Sequence, residues 1–172
     1  MTIAIKPTAS GSTIEQNGST ILTVDSSGNI TPSNDLYPKV PAFSAYLGST
    51  QAISASTTTK VNFDTIDFDT NSNYDTSNKR FTPSVAGYYQ INAWVYGNSA
   101  GFIDILIYKN GSQIKKVYYS YPSSSQAGGG STLIYLDGST DYIETYIYTT
   151  GTPTLINTVT NGCYFQGHLV SV

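Results

Sequence analysis

The stretch KVNFDTIDFDTNSNYDTSNKRFTPSVAGYY, residues 60–89, carries more structural information than any other part of the chain. It begins with alternating apolar and polar residues, continues through a run rich in Asp, Asn, Ser and Thr, and ends in paired tyrosines. Alternation with a period of two is typical of β-strands, and the polar run is typical of turns. The stretch therefore predicts short strands with a turn-rich connection, and no helix.

The same alternation recurs on the C-terminal side of this stretch, and no segment of useful length has the i, i+3, i+4 apolar spacing of a helix. Asn110-Gly111 within KNGS is a strong signal for a two-residue hairpin, because both positions tolerate positive φ. Many short strands without helices between them predict an all-β sandwich or barrel in which two sheets bury their facing sides. The clearest runs cover residues 87–96, 101–111, 113–121, 131–138, 141–149 and 163–172.

Composition excludes several classes of protein. The 172 residues are 39% hydrophobic and only 11% charged, against about 25% charged in ordinary soluble domains. The net charge of -3, with eight Lys and Arg spread along the chain, argues against a nucleic-acid partner. No apolar run reaches membrane-spanning or signal-peptide length, so we expect a soluble protein made in a cytoplasm, with no membrane partner. A single cysteine excludes an intramolecular disulfide.

The first part of the chain differs from the rest. Two short apolar pulses are separated by Asn-Gly and Ser-Gly-Asn turns, and the prolines of YPKVP then mark a junction. We interpret residues 1–38 as an extended N-terminal arm for docking and residues 39–172 as the main domain. The residues predicted to dock are Ile14, Ile21, Leu22, Val24 and Ile30.

Alternation divides GYYQINAWVY (87–96) into two faces. One face is a plain core. The other is too aromatic for ordinary solvent and too polar for a core, which is the mixture found at subunit contacts. The alternative is that these rings pack under loops of the same subunit. The contact face comprises Tyr88, Gln90, Asn92, Trp94 and Tyr96, and the predicted core comprises Phe43, Phe63, Phe81, Tyr89, Ile91, Val95, Cys163, Phe165 and Leu169.

No candidate for enzymatic chemistry withstands examination. Cys163 and His168 resemble a nucleophile and its base, but an offset of five residues in a strand places them on opposite faces. The sequence QAGGGS (126–131) lacks the residues of a phosphate-binding loop and is expected to be a flexible loop. The acidic cluster Asp64, Asp67, Asp69 and Asp75 fits no calcium-loop motif, so these are expected to be solvated turn residues. We predict no enzymatic activity, no cofactor and no metal site.

The aromatic spacing of residues 60–89 resembles the globular head of complement C1q and its tumour-necrosis-factor-like relatives. PAFSA (41–45) is similar to the first strand of that family, IYKNG (107–111) to a hairpin and CYFQGHLV (163–170) to the closing strand. The resemblance covers about residues 41–172, and the chain departs from it at Ile91, at Ala93 and by two extra residues, Ser139 and Thr140. The positions that carry it are Phe63, Asp69, Tyr74, Phe81, Gly87 and Tyr89.

The resemblance implies a ten-stranded jelly roll with two five-stranded sheets that assembles as a homotrimer. In that family the outward side of the closing strand faces the threefold axis. This adds four residues to the predicted trimer interface: Tyr164, Gln166, His168 and Val170.

The segment GSTILTVDSSGNIT (18–31) resembles segments near the start of bacteriophage virion proteins. We therefore expect a homotrimeric capsid decoration protein on the virion surface, assembled in the host cytoplasm, whose arm binds the major capsid protein or another virion component. The alternative is the receptor-binding tip of a phage tail or head fibre that recognises a host surface glycan or protein. A third possibility is a bacterial or animal C1q-like recognition protein without a viral connection.

Overall fold

The structure of the chain, a computed structural model, describes residues 3–9, 11–32, 40–98, 101–121, 126–155 and 162–172. The chain divides into two compact units, Met1–Lys39 and Val40–Val172. The described residues contain strands and turns only, and among them no helix is long and apolar enough to cross a membrane.

The N-terminal unit is a four-stranded antiparallel meander of β1 (Ile3–Thr8), β2 (Gly11–Gln16), β3 (Ser19–Asp25) and β4 (Ile30–Pro32). This differs from the extended arm predicted from the sequence. One reason is that the Asn-Gly sequence at 17–18 adopts positive φ at both residues, which folds β3 back on β2 as a hairpin.

The C-terminal unit contains thirteen strands within its described residues. Eight of them have five or more residues, and five have only two. The strands are β5 (Ala42–Tyr46), β6 (Gln51–Ala52), β7 (Thr59–Lys60), β8 (Thr65–Asp69), β9 (Tyr74–Asp75), β10 (Arg80–Phe81), β11 (Gly87–Gly97), β12 (Ile103–Lys109), β13 (Ser112–Ser120), β14 (Gln126–Leu136), β15 (Ile143–Thr149), β16 (Thr154–Leu155) and β17 (Tyr164–Ser171).

These strands form two sheets that make a jelly-roll sandwich. The seven-stranded sheet has the order β6-β16-β11-β17-β5-β8, and β14 pairs with the other edge of β11. The six-stranded sheet has the order β13-β12-β15-β10-β9, with β7 also paired to β15. The resemblance implied two five-stranded sheets; the described sheets have seven and six strands, and five of these thirteen strands are only two residues long.

The core between the two sheets is built on aromatic rings. The ring of Phe43 stacks on that of Phe81 at 4.2 Å and meets that of Phe165 edge-on at 5.0 Å. Burial raises the pKa of the Tyr74 hydroxyl, which donates a 2.8 Å hydrogen bond to the carbonyl of Phe63. Leu169 is only partly buried, against the edge of the cluster. The other eight residues predicted for the core are all buried: Phe43, Phe63, Phe81, Tyr89, Ile91, Val95, Cys163 and Phe165.

The hairpin between β12 and β13 has the two-residue turn expected from KNGS. Lys109 pairs with Ser112, while Asn110 and Gly111 have φ of 53° and 77°. Positive φ at both central residues matches the twist of the flanking strands. The turn therefore fixes the start of β13 relative to β12.

The glycines of QAGGGS lie in a strand, so the prediction of a flexible loop is wrong. Gly128, Gly129 and Gly130 pair with β11 as part of β14. A Cβ on Gly128 would overlap the ring of Tyr118, and one on Gly129 would lie 2.8 Å from Cα of Trp94. Glycine is required here because neighbouring atoms approach the backbone too closely for a side chain.

Two residues, Ser139 and Thr140, are extra relative to the resembling family. Their backbone N–H groups donate hydrogen bonds to Asp137, each at 2.9 Å. A backbone hydrogen bond from Asp141, followed by the Thr140 hydroxyl, lowers the pKa of Asp137. Asp141 in turn forms an ion pair with Lys109 at 2.7 Å. The insertion thus closes a hydrogen-bonded turn against the β12–β13 hairpin.

Candidate functional site

The outward face of β11 carries the mixed aromatic and polar set identified from the sequence. Residues Tyr89, Ile91, Ala93 and Val95 are buried, and the residues between them face outward. Tyr88 is 53% exposed and Trp94 is 37% exposed. Gln90 and Asn92 are half-buried on this face. Tyr96, which the sequence predicted for the contact face, is half-buried and packs against the core cluster, because it lies at the end of β11 next to Cys163. Large aromatic rings thus remain accessible on a sheet whose other side is fully packed.

The closing strand β17 extends this face. Trp94 lies directly opposite Tyr164 in the antiparallel register, Asn92 opposite Gln166, and Gln90 opposite His168. Directly opposed residues share a face and lie about 4.5–5.5 Å apart at Cβ. The structure therefore places the two predicted interface sets side by side.

Val170, the remaining residue of the interface set predicted for β17, lies at an irregularity in the pairing of β11 with β17. The register between β11 and β17 shifts between Tyr88 and Tyr89, so that these residues oppose Ser171 and Leu169. Val170 is the extra residue of this bulge, and its side chain is exposed. The bulge ends the regular part of the outward face.

Strand β14 adds exposed apolar residues to this face that the sequence did not identify. Tyr135 lies opposite Tyr88, with ring centroids 5.4 Å apart, and Leu133 lies opposite Gln90. Both Tyr135 and Leu133 are exposed. The alternation in TLIYL (132–136) indicates that this strand has two faces. It does not indicate that the strand pairs with β11, so nothing in the sequence places Leu133 and Tyr135 on the outward face.

Two grooves cross the outward face. The larger, of about 300 Å³, lies between Trp94, Gly129 and Tyr164. The second, of about 180 Å³, lies between Phe68 and His168. Asn92 and Gln166 line both grooves. Aromatic rims around amide side chains are typical of protein contacts, in which rings supply area and amides supply hydrogen bonds.

Cys163 and His168 do not form a catalytic pair. Cys163 is fully buried, and its Sγ accepts a hydrogen bond from the Tyr96 backbone N–H at 3.1 Å. His168 is exposed on the outward face. The thiol and the imidazole therefore lie on opposite sides of the sheet.

The predicted acidic cluster consists of hydrogen-bonded turn and strand residues. Asp69 accepts the backbone N–H of Tyr74 at 2.7 Å, and hydrogen bonds from Asn78 lower the pKa of Asp75. Across the described ranges, no group of three or more His, Cys, Asp or Glu residues is arranged to hold a metal ion. The carboxylates of this cluster that accept such hydrogen bonds are Asp64, Asp67, Asp69 and Asp75.

The N-terminal meander also has two chemically distinct faces. Ile5 lies opposite Ile14, and Ile14 opposite Leu22, while Val24 lies opposite Ile30. Cross-strand partners and residues two apart share a face, so these five residues form one apolar surface. Ile21 is the extra residue of a bulge.

The opposite face of the meander carries an ion pair between Lys6 and Glu15 and a row of threonines. None of the described side chains of the meander is buried, and Ile5 and Ile30 are 71% and 65% exposed. The apolar face is therefore exposed at Ile5 and Ile30, whereas Ile14, Leu22 and Val24 are half-buried.

The strand order and the outward face of β11 define the architecture of the C-terminal unit: a jelly-roll sandwich with an aromatic outward sheet. Residues 42–170 match the C1q domain family, and the chain belongs to that family. No curated protein sequence matches the chain.

Solved structures with the same fold include a complement C1q domain and a TNF. Murine APRIL at pH 5.0 is 12% identical over 77% of this chain and 100% of its own, with a TM-score of 0.60. The globular domain of zebrafish complement 1qA is 15% identical over 76% and 97%, with a TM-score of 0.51. Eiger TNF from S. frugiperda is 9% identical over 77% and 92%, with a TM-score of 0.54. At these identities the likeness shows the fold alone.

Proposed function

We propose that the chain is a non-enzymatic, homotrimeric capsid decoration protein of a bacteriophage. The outward face of the seven-stranded sheet forms the trimer interface, and the N-terminal meander anchors the trimer to the major capsid protein or another component of the shell. The jelly roll is then displayed on the virion surface.

The observation that carries the anchoring role is the uncovered apolar face of the meander. None of the described side chains of this sheet is buried, so the sheet gains little of the apolar burial that stabilises a folded unit. Docking on a shell would cover Ile5, Ile14 and Ile30 and supply that missing burial. The polar face of the meander, with its threonines and the Lys6–Glu15 ion pair, is suited to remain in water.

The trimeric assembly is supported by the outward face of β11, β14 and β17. Its exposed rings form a continuous patch with two grooves, and exposed patches of this kind mark interaction sites. The C1q resemblance implies assembly through the same side of the closing strand.

Substitutions in the full chain test the anchor. Ile5→Asp with Ile30→Asp places two charges on the apolar face and should abolish co-sedimentation with purified shells. Thr8→Asp with Thr31→Asp is the matched control, because both threonines are exposed on β1 and β4 but face the opposite side. The control should bind shells like the unmodified chain, and both variants should remain trimers.

Removal of residues 1–38 separates this proposal from its main alternative. A decoration protein without these residues should stay trimeric and lose binding to shells. If binding to shells persists while binding to host cells is lost, the capsid role is refuted.

The second candidate is the receptor-binding tip of a phage fibre. It is favoured by exposed tyrosines on the six-stranded sheet, where Tyr119 and Tyr121 are accessible. Tyrosine-rich surfaces provide rigid contact area with little loss of conformational entropy. Electron microscopy of the parent particle distinguishes the two functions, since it locates the protein on the capsid lattice or at the fibre tip.

A further inference from the structure

Four aromatic rings cluster at one end of the six-stranded sheet, away from the proposed trimer interface. Phe102 is the centre: its ring lies 5.0 Å from Tyr119, 5.0 Å from Tyr121 and 6.0 Å from Tyr148, measured between centroids. Tyr119 and Tyr121 are 59% and 72% exposed. We call this group, Phe102, Tyr119, Tyr121 and Tyr148, the aromatic platform.

A carboxylate lies within the platform. Asp104 on β12 is directly opposite Tyr119 on β13 and Tyr148 on β15, so its side chain shares their outward face. The residue is only 6% exposed. One carboxylate oxygen, Oδ2, forms an ion pair with Nζ of Lys116 at 2.6 Å. The other, Oδ1, is buried and has no hydrogen-bond partner in the described part of the chain.

An unpartnered buried acceptor costs free energy, and the great majority of such groups in folded proteins have a donor. Within the described part of the chain, Oδ1 of Asp104 therefore has an open position that an external donor could fill. Tyr119, directly opposite Asp104 on β13, is mostly exposed. A ligand hydroxyl at this position would complete the hydrogen bonding of the carboxylate.

The charge of the platform selects the class of ligand. The ammonium group of Lys116 neutralises Asp104 and lies 5.5 Å and 5.7 Å from the ring centroids of Tyr119 and Phe102. The position that a ligand cation would take over these rings is therefore already occupied. A neutral ligand with hydroxyl groups and an apolar C–H face matches what remains, and a pyranose sugar has both.

We propose that the aromatic platform binds a neutral sugar unit of a surface glycan. The C–H face of the sugar packs on the electron-rich faces of Tyr119 and Tyr121, and its hydroxyls hydrogen-bond to Asp104, Lys116 and the tyrosine hydroxyls. This proposal rests on the second candidate function, in which the partner is a glycan, and adds the class of sugar and the residues that bind it. It is also compatible with the trimer, because the platform lies on the sheet that the trimer leaves free.

The test is binding to an array of immobilised neutral hexasaccharides of glucose, galactose, mannose, N-acetylglucosamine and rhamnose. Choline-coated and sulfated-dextran surfaces serve as charged probes. The full chain should bind at least one neutral hexasaccharide, and Tyr119→Ala with Tyr121→Ala should weaken that binding about tenfold or more. Tyr108→Ala is the matched control, since its ring stacks on Tyr146 of the same sheet at 4.1 Å, and should change binding less than twofold.

Two further variants separate the contributions of the platform. Tyr119→Phe with Tyr121→Phe keeps the rings and should retain more binding than the alanine pair. Asp104→Asn removes the charge of the carboxylate and should weaken binding to the neutral sugar. Light scattering of each variant should give the mass of the unmodified protein, which separates a failed sugar site from a failed trimer.

The proposal is overturned if the full chain binds no neutral hexasaccharide, or if the alanine pair binds as well as Tyr108→Ala. Binding to choline or sulfated dextran alone would show that the platform selects charge and would equally refute a neutral sugar. The shell co-sedimentation experiment tests the capsid role separately. Whether or not the chain binds shells, the hexasaccharide array decides the sugar proposal.

Discussion

Replacing Tyr88 and Trp94 by alanine should convert the trimer to monomers. These two residues supply the exposed rings of β11 on the proposed interface, and neither is needed to fill the core between the sheets. The double variant therefore removes contact area from the outward face while it leaves the jelly roll itself folded.

The expected magnitude follows from the exposed fractions, 53% for Tyr88 and 37% for Trp94. With about 200–250 Å² per aromatic residue, the two rings offer about 190 Å² for burial. At about 25 cal/mol per Å² this is worth at most about 5 kcal/mol for each subunit. Allowing for incomplete burial and the alanine that remains, we expect a loss of about 2–3 kcal/mol per subunit, or about 7 kcal/mol per trimer.

A loss of this size should raise the concentration at which half of the chains are trimeric by roughly 300-fold. Light scattering coupled to size-exclusion chromatography, over a range of loading concentrations, measures this shift. Tyr119→Ala with Tyr121→Ala is the control, because it removes two exposed rings from the opposite sheet. An unchanged trimer mass in the Tyr88 and Trp94 variant, with its circular dichroism intact, would show that the interface lies elsewhere.

Three substitutions test the fold beneath these surfaces. Gly129→Ala should destabilise the unit by about 1–3 kcal/mol in urea denaturation, because its Cβ would crowd Trp94; equal stability would contradict the close packing of β14. Phe43→Ala should cost about 3–5 kcal/mol by the same measurement, and a loss below 1 kcal/mol would mean that the core collapses around the gap. Asp137→Asn should be less stable than the unmodified chain at neutral pH. Hydrogen bonds lower the pKa of Asp137, so the stability that its carboxylate contributes is present above the ordinary Asp pKa of about 3.9 and is lost progressively as the pH falls toward the lowered pKa of the folded state. The difference in melting temperature between Asp137→Asn and the unmodified chain should therefore be smaller at pH 2.5 than at pH 7, and an equal difference at both pH values would refute the role of the carboxylate.

The fold could be predicted largely because burial in a two-layer sandwich imposes alternation on each strand. Tyr89 and Ile91 face the core and Tyr88 faces outward, as the period of two requires. The same parity places Cys163 and His168 on opposite faces of the closing strand, as the structure shows. Local chemistry was also sufficient at Asn110-Gly111, where the turn depends on backbone freedom alone.

The parts that could not be predicted depend on neighbours that are distant in sequence. Three consecutive glycines favour a loop on local grounds, but the ring of Tyr118 and the backbone at Trp94 turn them into a strand. Leu133 and Tyr135 joined the outward face only because β14 pairs with β11. Alternation gives the two faces of a strand, whereas the order of strands in a sheet is set by pairing over the whole chain.

The low charge of the chain is consistent with three uncovered surfaces of different chemistry. A sheet face with exposed rings is protected in most proteins by charged neighbours that prevent association. Here charged residues are few, and ion pairs such as Lys60–Glu144 and Lys116–Asp104 take up part of them. Opposite charges paired within one chain and a net charge of only -3 leave a weak field to repel a second copy, a shell or a neutral sugar. The composition that argues against a nucleic-acid partner therefore also fits the proposed self-association, docking and glycan binding on one small chain.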